Sequence, residues 1–288
     1  MKLVRYEDAT AFLARARTPL ERREAANSLM ISVAVRLQEY PRQIEHPPYL
    51  ATVEEGDRLL AAAVMTPPHR VIVHAEDTTL APLRRLVQDL RSFAWQPPGV
   101  IGPAQIAHAF VAEWLTQAGG DGRLLRHERI YELRRVIHPI GVPGRLRVAT
   151  ETDVALTANW LAAFYEELGM EFNVGDPIAH ARARIEQRII YLWDDGGPVS
   201  LAGSPRHTTH GISIGPVYTP PAFRRRGYAG ACVAALSQQM LDAGWQFCVL
   251  FTDLANPTSN SVYQKIGYRP VCDFDEWALT PKSCAGTP

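Results

Sequence analysis

The segment Gly211-Ile-Ser-Ile-Gly-Pro-Val-Tyr-Thr-Pro-Pro-Ala-Phe-Arg-Arg-Arg-Gly-Tyr-Ala-Gly230 joins a β-strand to a helix through a basic, glycine-containing loop. Ile212, Ile214 and Val217 alternate with Ser213 and Gly215, the pattern of a strand with two unlike faces. Pro216 interrupts it. A proline has no N–H to give to a ladder, so the strand must be bulged, splayed or at an edge there. The backbone near Val217 is then free to bind something else. Beyond the loop, Ala229, Val233, Leu236 and Met240 form an apolar stripe at helical spacing, and Gly244 ends the helix. A loop entering a helix aims several unpaired N–H groups at one spot, backed by the positive end of the helix dipole. That arrangement suits a phosphate. Gly227 admits it close to the backbone, Ala229 keeps the approach narrow, and Arg224, Arg225 and Arg226 add positive charge.

Downstream, Trp245 to Thr252 is nearly continuous in apolar residues and reads as a doubly covered strand. Asn256-Pro257 opens a further helix, Asn as N-cap and Pro at the first helical position, and Gly267 closes it. Asn256, Asn260 and Tyr263 share one face of that helix. Upstream, Ile190 to Gly203 reads as a hairpin turning at Asp194 to Gly197. The same order recurs in the first half. Tyr49 to Val64 is a hairpin turning at Glu55-Gly56-Asp57, Arg70 to His74 is a strand, and Leu80 to Phe93 is a helix. A short strand, a helix and a final apolar run follow in both halves. Ile137-His-Pro-Ile-Gly-Val-Pro-Gly144 lies between them, with the punctuation of a linker. The expectation is two copies of one α+β unit, at residues 1–142 and 143–288.

The series strand, Arg224-x-x-Gly227-x-Ala229, helix, strand, Asn256-Pro-x-Ser259-Asn260-x-x-Tyr263-x-x-x-Gly267-Tyr268 resembles the GNAT superfamily of N-acetyltransferases over roughly Arg147 to Leu279. The first half resembles the family in element order alone. Ala75 to Pro82 occupies the place of the glycine loop and contains no glycine, so this copy is expected to be degenerate and without cofactor. The resemblance implies two domains, each a mixed, mostly antiparallel sheet flanked by helices, with splayed central strands in the second.

The resemblance also implies roles. Acetyl-CoA would be the cosubstrate, its pantetheine arm running along Val217, Tyr218 and Thr219. Its pyrophosphate would lie on the amides from Arg225 through Arg226, Gly227, Tyr228 and Ala229 to Gly230, with Arg224 at the loop entrance. Asn256 and Asn260 would touch the cofactor or hold the loop, and Tyr263 would be the general acid. The chemistry would be direct acyl transfer to a primary amine. A tyrosine with a pKa near 10 can donate towards a thiolate whose acid has a pKa near 8.5. A backbone N–H of the splayed strand would polarise the thioester oxygen. Candidates for the acceptor site or the base are Glu166, Glu167 and Glu171, then His210 and Asp253.

Composition narrows the alternatives. The 288 residues are 47% hydrophobic and 21% charged, with 30 Lys+Arg against 30 Asp+Glu. Zero net charge gives no general basic field for nucleic acid. No apolar run approaches the roughly 20 residues of a membrane span, and Met1 to Arg23 has no apolar core of a secretory signal. Cys232, Cys248, Cys272 and Cys284 show no paired spacing, and the histidines no ligand pair, so no metal and a cytosolic setting are expected. The partner expected is a small-molecule or peptide amine; the oligomeric state is not readable. Trp95, Trp114 and Trp160 read as core or interface residues. Gly211-x-Ser213-x-Gly215 matches a hydrolase nucleophile elbow, but the prolines behind it leave no room for the helix that motif requires. The competing reading is a non-catalytic acyl-CoA sensor.

Overall fold

The computed structural model describes residues 1–41, 46–170, 172 and 174–282. The chain divides into two compact units. One holds residues 1–130, 252–255 and 270–288, and the other holds 131–251 and 256–269.

The first unit opens with β1 (Lys2–Arg5), α1 (Ala9–Glu21) and α2 (Ser28–Glu39). The hairpin β2 (Tyr49–Glu55) and β3 (Arg58–Met65) follows, then β4 (Val71–Ala75) and α3 (Leu80–Leu90). β5 (Gly99–Pro103), α4 (Ala104–Ala118) and β6 (Asp121–Leu133) come next, and the last three residues of β6 count with the second unit. The second unit continues with β7 (Arg145–Val148), α5 (Val154–Glu167), α6 (Pro177–Glu186), β8 (Ile190–Asp194) and β9 (Pro198–Gly203). β10 (Gly211–Ser213), β11 (Val217–Tyr218), α7 (Tyr228–Asp242), β12 (Phe247–Asp253), α8 (Pro257–Lys265) and β13 (Arg269–Thr280) complete the chain.

The two hairpins, the strands after them and the helix order all fall where the sequence pattern put them. The sheet of the first unit runs β1-β2-β3-β4-β5-β13-β6. Side-chain alternation divides it into two faces. Leu50, Ala62, Val64 and Ile72 pack with Phe12, Leu13, Met30 and Ile31 of α1 and α2. Tyr49, Ala51, Ala63 and Val73 pack with Leu83, Leu86, Phe110 and Trp114 of α3 and α4. The second unit repeats this plan. Ile190, Leu192 and Leu201 meet Val154, Leu161, Ala181 and Ile185 of α5 and α6. Tyr191, Trp193 and Ala202 meet Val233, Leu236 and Met240 of α7.

The end of the chain does not stay with the half it follows. β13 pairs antiparallel with β5, Phe274 opposite Pro103 and Trp277 opposite Val100, and residues 270–280 therefore count with the first unit. The break near residue 142 lies inside the second unit. There the proline-glycine stretch is tied down: Ile137 N–H donates to Ile266 O at 2.9 Å and the Trp193 indole donates to Pro143 O at 2.8 Å.

Candidate functional site

The strand interrupted by Pro216 divides its hydrogen bonds between two sheets. β10 runs parallel to β12, with Ile212 opposite Cys248 and Ser213 opposite Val249. β11 runs antiparallel to β9, with Val217 opposite Ala202 and Tyr218 opposite Leu201. Ile214 N–H still bonds Val249 O at 2.8 Å, whereas the next residue, Gly215, bonds Gly203 O at 2.8 Å. Pro216 O accepts from Gly203 N–H at 3.0 Å, so it faces β9. Alternation along an antiparallel strand then turns the N–H and C=O of Val217 to the other side. β11 is the outer strand of its sheet, order β11-β9-β8-β7, so among the described residues that edge carries no strand. The counterpart in the first unit is closed: Ile72 of β4 pairs with Val64 on one side and Ile101 on the other.

The loop after β11 makes a 3₁₀ turn at Pro221–Phe223 and then two left-handed residues, Arg225 (φ 63°) and Gly227 (φ 84°). Gly227 caps α7, and the first helical bond is Ala231 N–H to Gly227 O at 3.0 Å. The N–H groups of Tyr228, Ala229 and Gly230 therefore have no intrahelical acceptor. Two constraints require glycine at 227. One is its positive φ; the other is Val142, whose Cγ2 would lie 2.9 Å from a Cβ there. Arg224, Arg225 and Arg226 are exposed. The Tyr228 hydroxyl donates to Asp195 Oδ2 at 2.6 Å, and this bond is the main cause that raises its pKa. In the first unit, Glu76 and Asp77 stand at the equivalent entrance, and Asp77 Oδ1 accepts Thr79 N–H at 2.8 Å. Glu76 is ion-paired with Arg58 at 2.7 Å, and Asp77 opposes an anion at that helix end.

Arg224 is held on two sides. Its Nε donates to Thr219 O at 2.8 Å and an Nη donates to Glu167 Oε1 at 2.5 Å, with the guanidinium 5.8 Å from the Tyr218 ring centroid. Glu167 and Arg224, read as parts of two different subsites, are ion-paired. Glu166, next along α5, is exposed and has no cation partner among the described residues. Tyr218 is buried; burial, then the carboxylates of Glu167 and Glu166, raises its hydroxyl above the usual phenol range. Ser200 Oγ donates to Tyr218 O at 3.2 Å and lies 2.8 Å from Thr219 Oγ1, fixing the edge from behind.

On α8, Asn256 Oδ1 caps the helix by accepting Ser259 N–H at 3.0 Å. Asn260 Nδ2 donates to Asn256 O at 2.7 Å, and Asn260 Oδ1 accepts the Tyr131 hydroxyl at 2.8 Å. Tyr263 lies in the core that holds Cys232 and Tyr268, and its hydroxyl has no hydrogen-bond partner among the described residues. Burial raises it from 10.0 to about 12. Among the remaining candidates, Glu171 lies outside the described residues. His210 O accepts Gln246 N–H at 2.9 Å just before β10, and Asp253 Oδ1 accepts Ala255 N–H at 2.7 Å at the end of β12. Ser213, the last residue of β10, donates to Arg206 O at 3.0 Å and no α-helix starts before Tyr228, so the elbow reading fails on geometry. Val142 is the contact that sequence reasoning missed, because nothing in the proline-glycine stretch signals which loop it will pack against.

Comparisons with known proteins agree with this geometry. Residues 195–278 match the family model described as FR47-like protein. A GNAT-family acetyltransferase from Colwellia psychrerythraea superposes with a TM-score of 0.56 at 11% identity, covering 97% of this chain and 100% of that one. A GCN5-related N-acetyltransferase from Sphaerobacter thermophilus gives 0.61 at 14%, covering 97% and 96%. A tandem GNAT protein from the clavulanic acid biosynthesis pathway gives 0.55 at 12%, covering 100% and 99%. No curated protein sequence matches the chain. With its paired units, its splayed strand and its glycine loop, the chain has the GNAT acetyltransferase fold, built twice along its length.

Proposed function

We propose that the second unit transfers an acetyl group from acetyl-CoA to the nitrogen of a primary amine. The observation that carries this reading is the splay: a strand edge with free backbone groups at Val217 runs into a glycine-capped helix end beside three arginines. The residues present fit the cosubstrate. Val217 and Thr219 offer the edge, the amides of Tyr228, Ala229 and Gly230 offer an anion cradle, and Arg225 and Arg226 supply countercharge. Bound there, acetyl-CoA supplies an activated thioester carbonyl and a thiolate leaving group.

The protein's own groups then have separable tasks. Val217 N–H, turned to the open edge, polarises the carbonyl oxygen. Glu166 attracts the ammonium form of the acceptor and receives its proton, directly or through water. The amine nitrogen forms the new bond to the acyl carbon as the carbon–sulfur bond breaks. Tyr263 keeps its proton and hydrogen-bonds the departing sulfur. With the phenol at about 12, full transfer to a thiolate whose acid has a pKa of about 8.5 is uphill by about 5 kcal/mol. Tyr263 therefore stabilises the leaving group by donation, and the thiolate takes up, through water, the second proton that the nitrogen loses on acylation. The first unit, with Glu76 and Asp77 at its helix entrance and β4 paired on both sides, takes no cofactor. The protein works in the cytosol and needs no metal.

Incubation with acetyl-CoA and a mixed set of amines, read by mass spectrometry, tests the reading. An N-acetylated product that depends on the protein supports it. Tight acetyl-CoA binding without any product favours a sensor that holds the cosubstrate and does not turn it over.

A further inference from the structure

Beside the splayed edge, the second unit carries a run of partly buried aromatic rings. The Tyr218 ring, on β11, lies 6.2 Å from Trp160 of α5. Phe164 follows one helical turn after Trp160, on the same face. Its ring meets Tyr165 edge-on at 5.4 Å, and Tyr165 stacks on Phe172 at 4.9 Å. Trp160, Phe164, Tyr165 and Phe172 are all partly buried. Trp160 and Phe172 lean on the core beneath α5 and α6, whereas Phe164 and Tyr165 belong to none of the buried clusters. A run of rings left partly in water is costly unless something covers it.

Two carboxylates end α5. Arg224 neutralises Glu167, and Glu166 has no cation partner among the described residues. A single ammonium on an aryl or extended alkyl body satisfies both features, with the cation at Glu166 and the body along the rings.

We propose that the acceptor is a monoamine carried on an aromatic or extended apolar body, selected by Phe164 and Tyr165 and charge-paired with Glu166. This rests on the transferase reading above.

The test measures thiol release from acetyl-CoA with 2-phenylethylamine, hexylamine, ethanolamine, glucosamine and spermidine, alongside calorimetric titration of acetyl-CoA into the same samples. The expected result is a kcat/KM for the two apolar amines at least about tenfold above the polar ones, equivalent to about 1.4 kcal/mol. Phe164→Ala with Tyr165→Ala should lower that preference about tenfold through the amine KM, leaving the acetyl-CoA dissociation constant unchanged. Acetyl-CoA binding with a preference for glucosamine or spermidine, or with no amine consumed, overturns the acceptor assignment. An equal loss on every amine in the double variant also overturns it, since that would report a structural role. No acetyl-CoA binding by the folded protein removes the transferase reading and this inference together.

Discussion

Ile214 and Gly215 are neighbours in the chain, yet their N–H groups bond different sheets, Ile214 to Val249 and Gly215 to Gly203, each at 2.8 Å. That change of partner over one residue opens the edge on which the functional reading depends. It also makes a residue-level prediction. The amide of Val217, turned away from β9, should exchange with solvent faster than that of Tyr218, which faces it. Acetyl-CoA should slow Val217 and leave Tyr218 little changed. Equal protection at both residues in the free protein would contradict the splay.

Gly227 should tolerate no side chain. Gly227→Ala meets both a φ of 84° and Val142 Cγ2 at 2.9 Å, so a loss of about 1–2 kcal/mol in stability is expected. Val142→Ala in the same chain should restore only the steric part. A double-mutant cycle by denaturant unfolding separates the two; full rescue by Val142→Ala would show that the backbone conformation carries no cost.

Tyr263→Phe should lower kcat while leaving acetyl-CoA affinity unchanged. Stability should shift by no more than about 0.5 kcal/mol, because the hydroxyl has no partner to lose. With burial holding the phenol at about 12, Tyr263 stays protonated up to about pH 10 and beyond, so its ionisation should cause no fall in rate from pH 7 to 10. A basic limb in the rate profile that disappears in Tyr263→Phe would contradict this.

A pH dependence of stability should come from the first unit. His74 is buried in β4, with Nδ1 at 2.8 Å from Asn27 Oδ1, and burial, aided by the charge of Arg23, lowers its pKa from 6.5 to about 4. Its folded form is neutral where its unfolded form binds a proton. Stability is therefore complete above about pH 6.5 and declines as pH falls to about 4, by about 3 kcal/mol in total. Urea unfolding between pH 4 and 7 should show this slope, and His74→Gln should flatten it.

What could be read from the sequence follows the range of each interaction. Pro216 announced a break in the ladder, whether bulge, splay or edge, because a missing N–H is a property of one residue. Gly227, Asn256 and Pro257 announced helix starts for the same local reason, and the two hairpins followed from turn residues between apolar runs. Partner choice over long distances was not legible. β6 and β13 each follow an equivalent helix, and nothing in either strand says that β13 will lie beside β5. The contact of Val142 with Gly227 and the pairing of Arg224 with Glu167 are likewise side-chain encounters between segments far apart in sequence. The proline-glycine stretch looked like a linker because loops that pack and loops that connect share a composition.

The most direct measurement is calorimetric titration of acetyl-CoA into the wild-type protein and into Arg225→Glu/Arg226→Glu. Both side chains are exposed, so charge reversal should leave the fold intact and confine the effect to the anion cradle. The account predicts micromolar binding by the wild type and a loss of at least about tenfold in the variant, steeper at low salt. Equal affinity in both proteins, or no binding by the folded wild type, would contradict it.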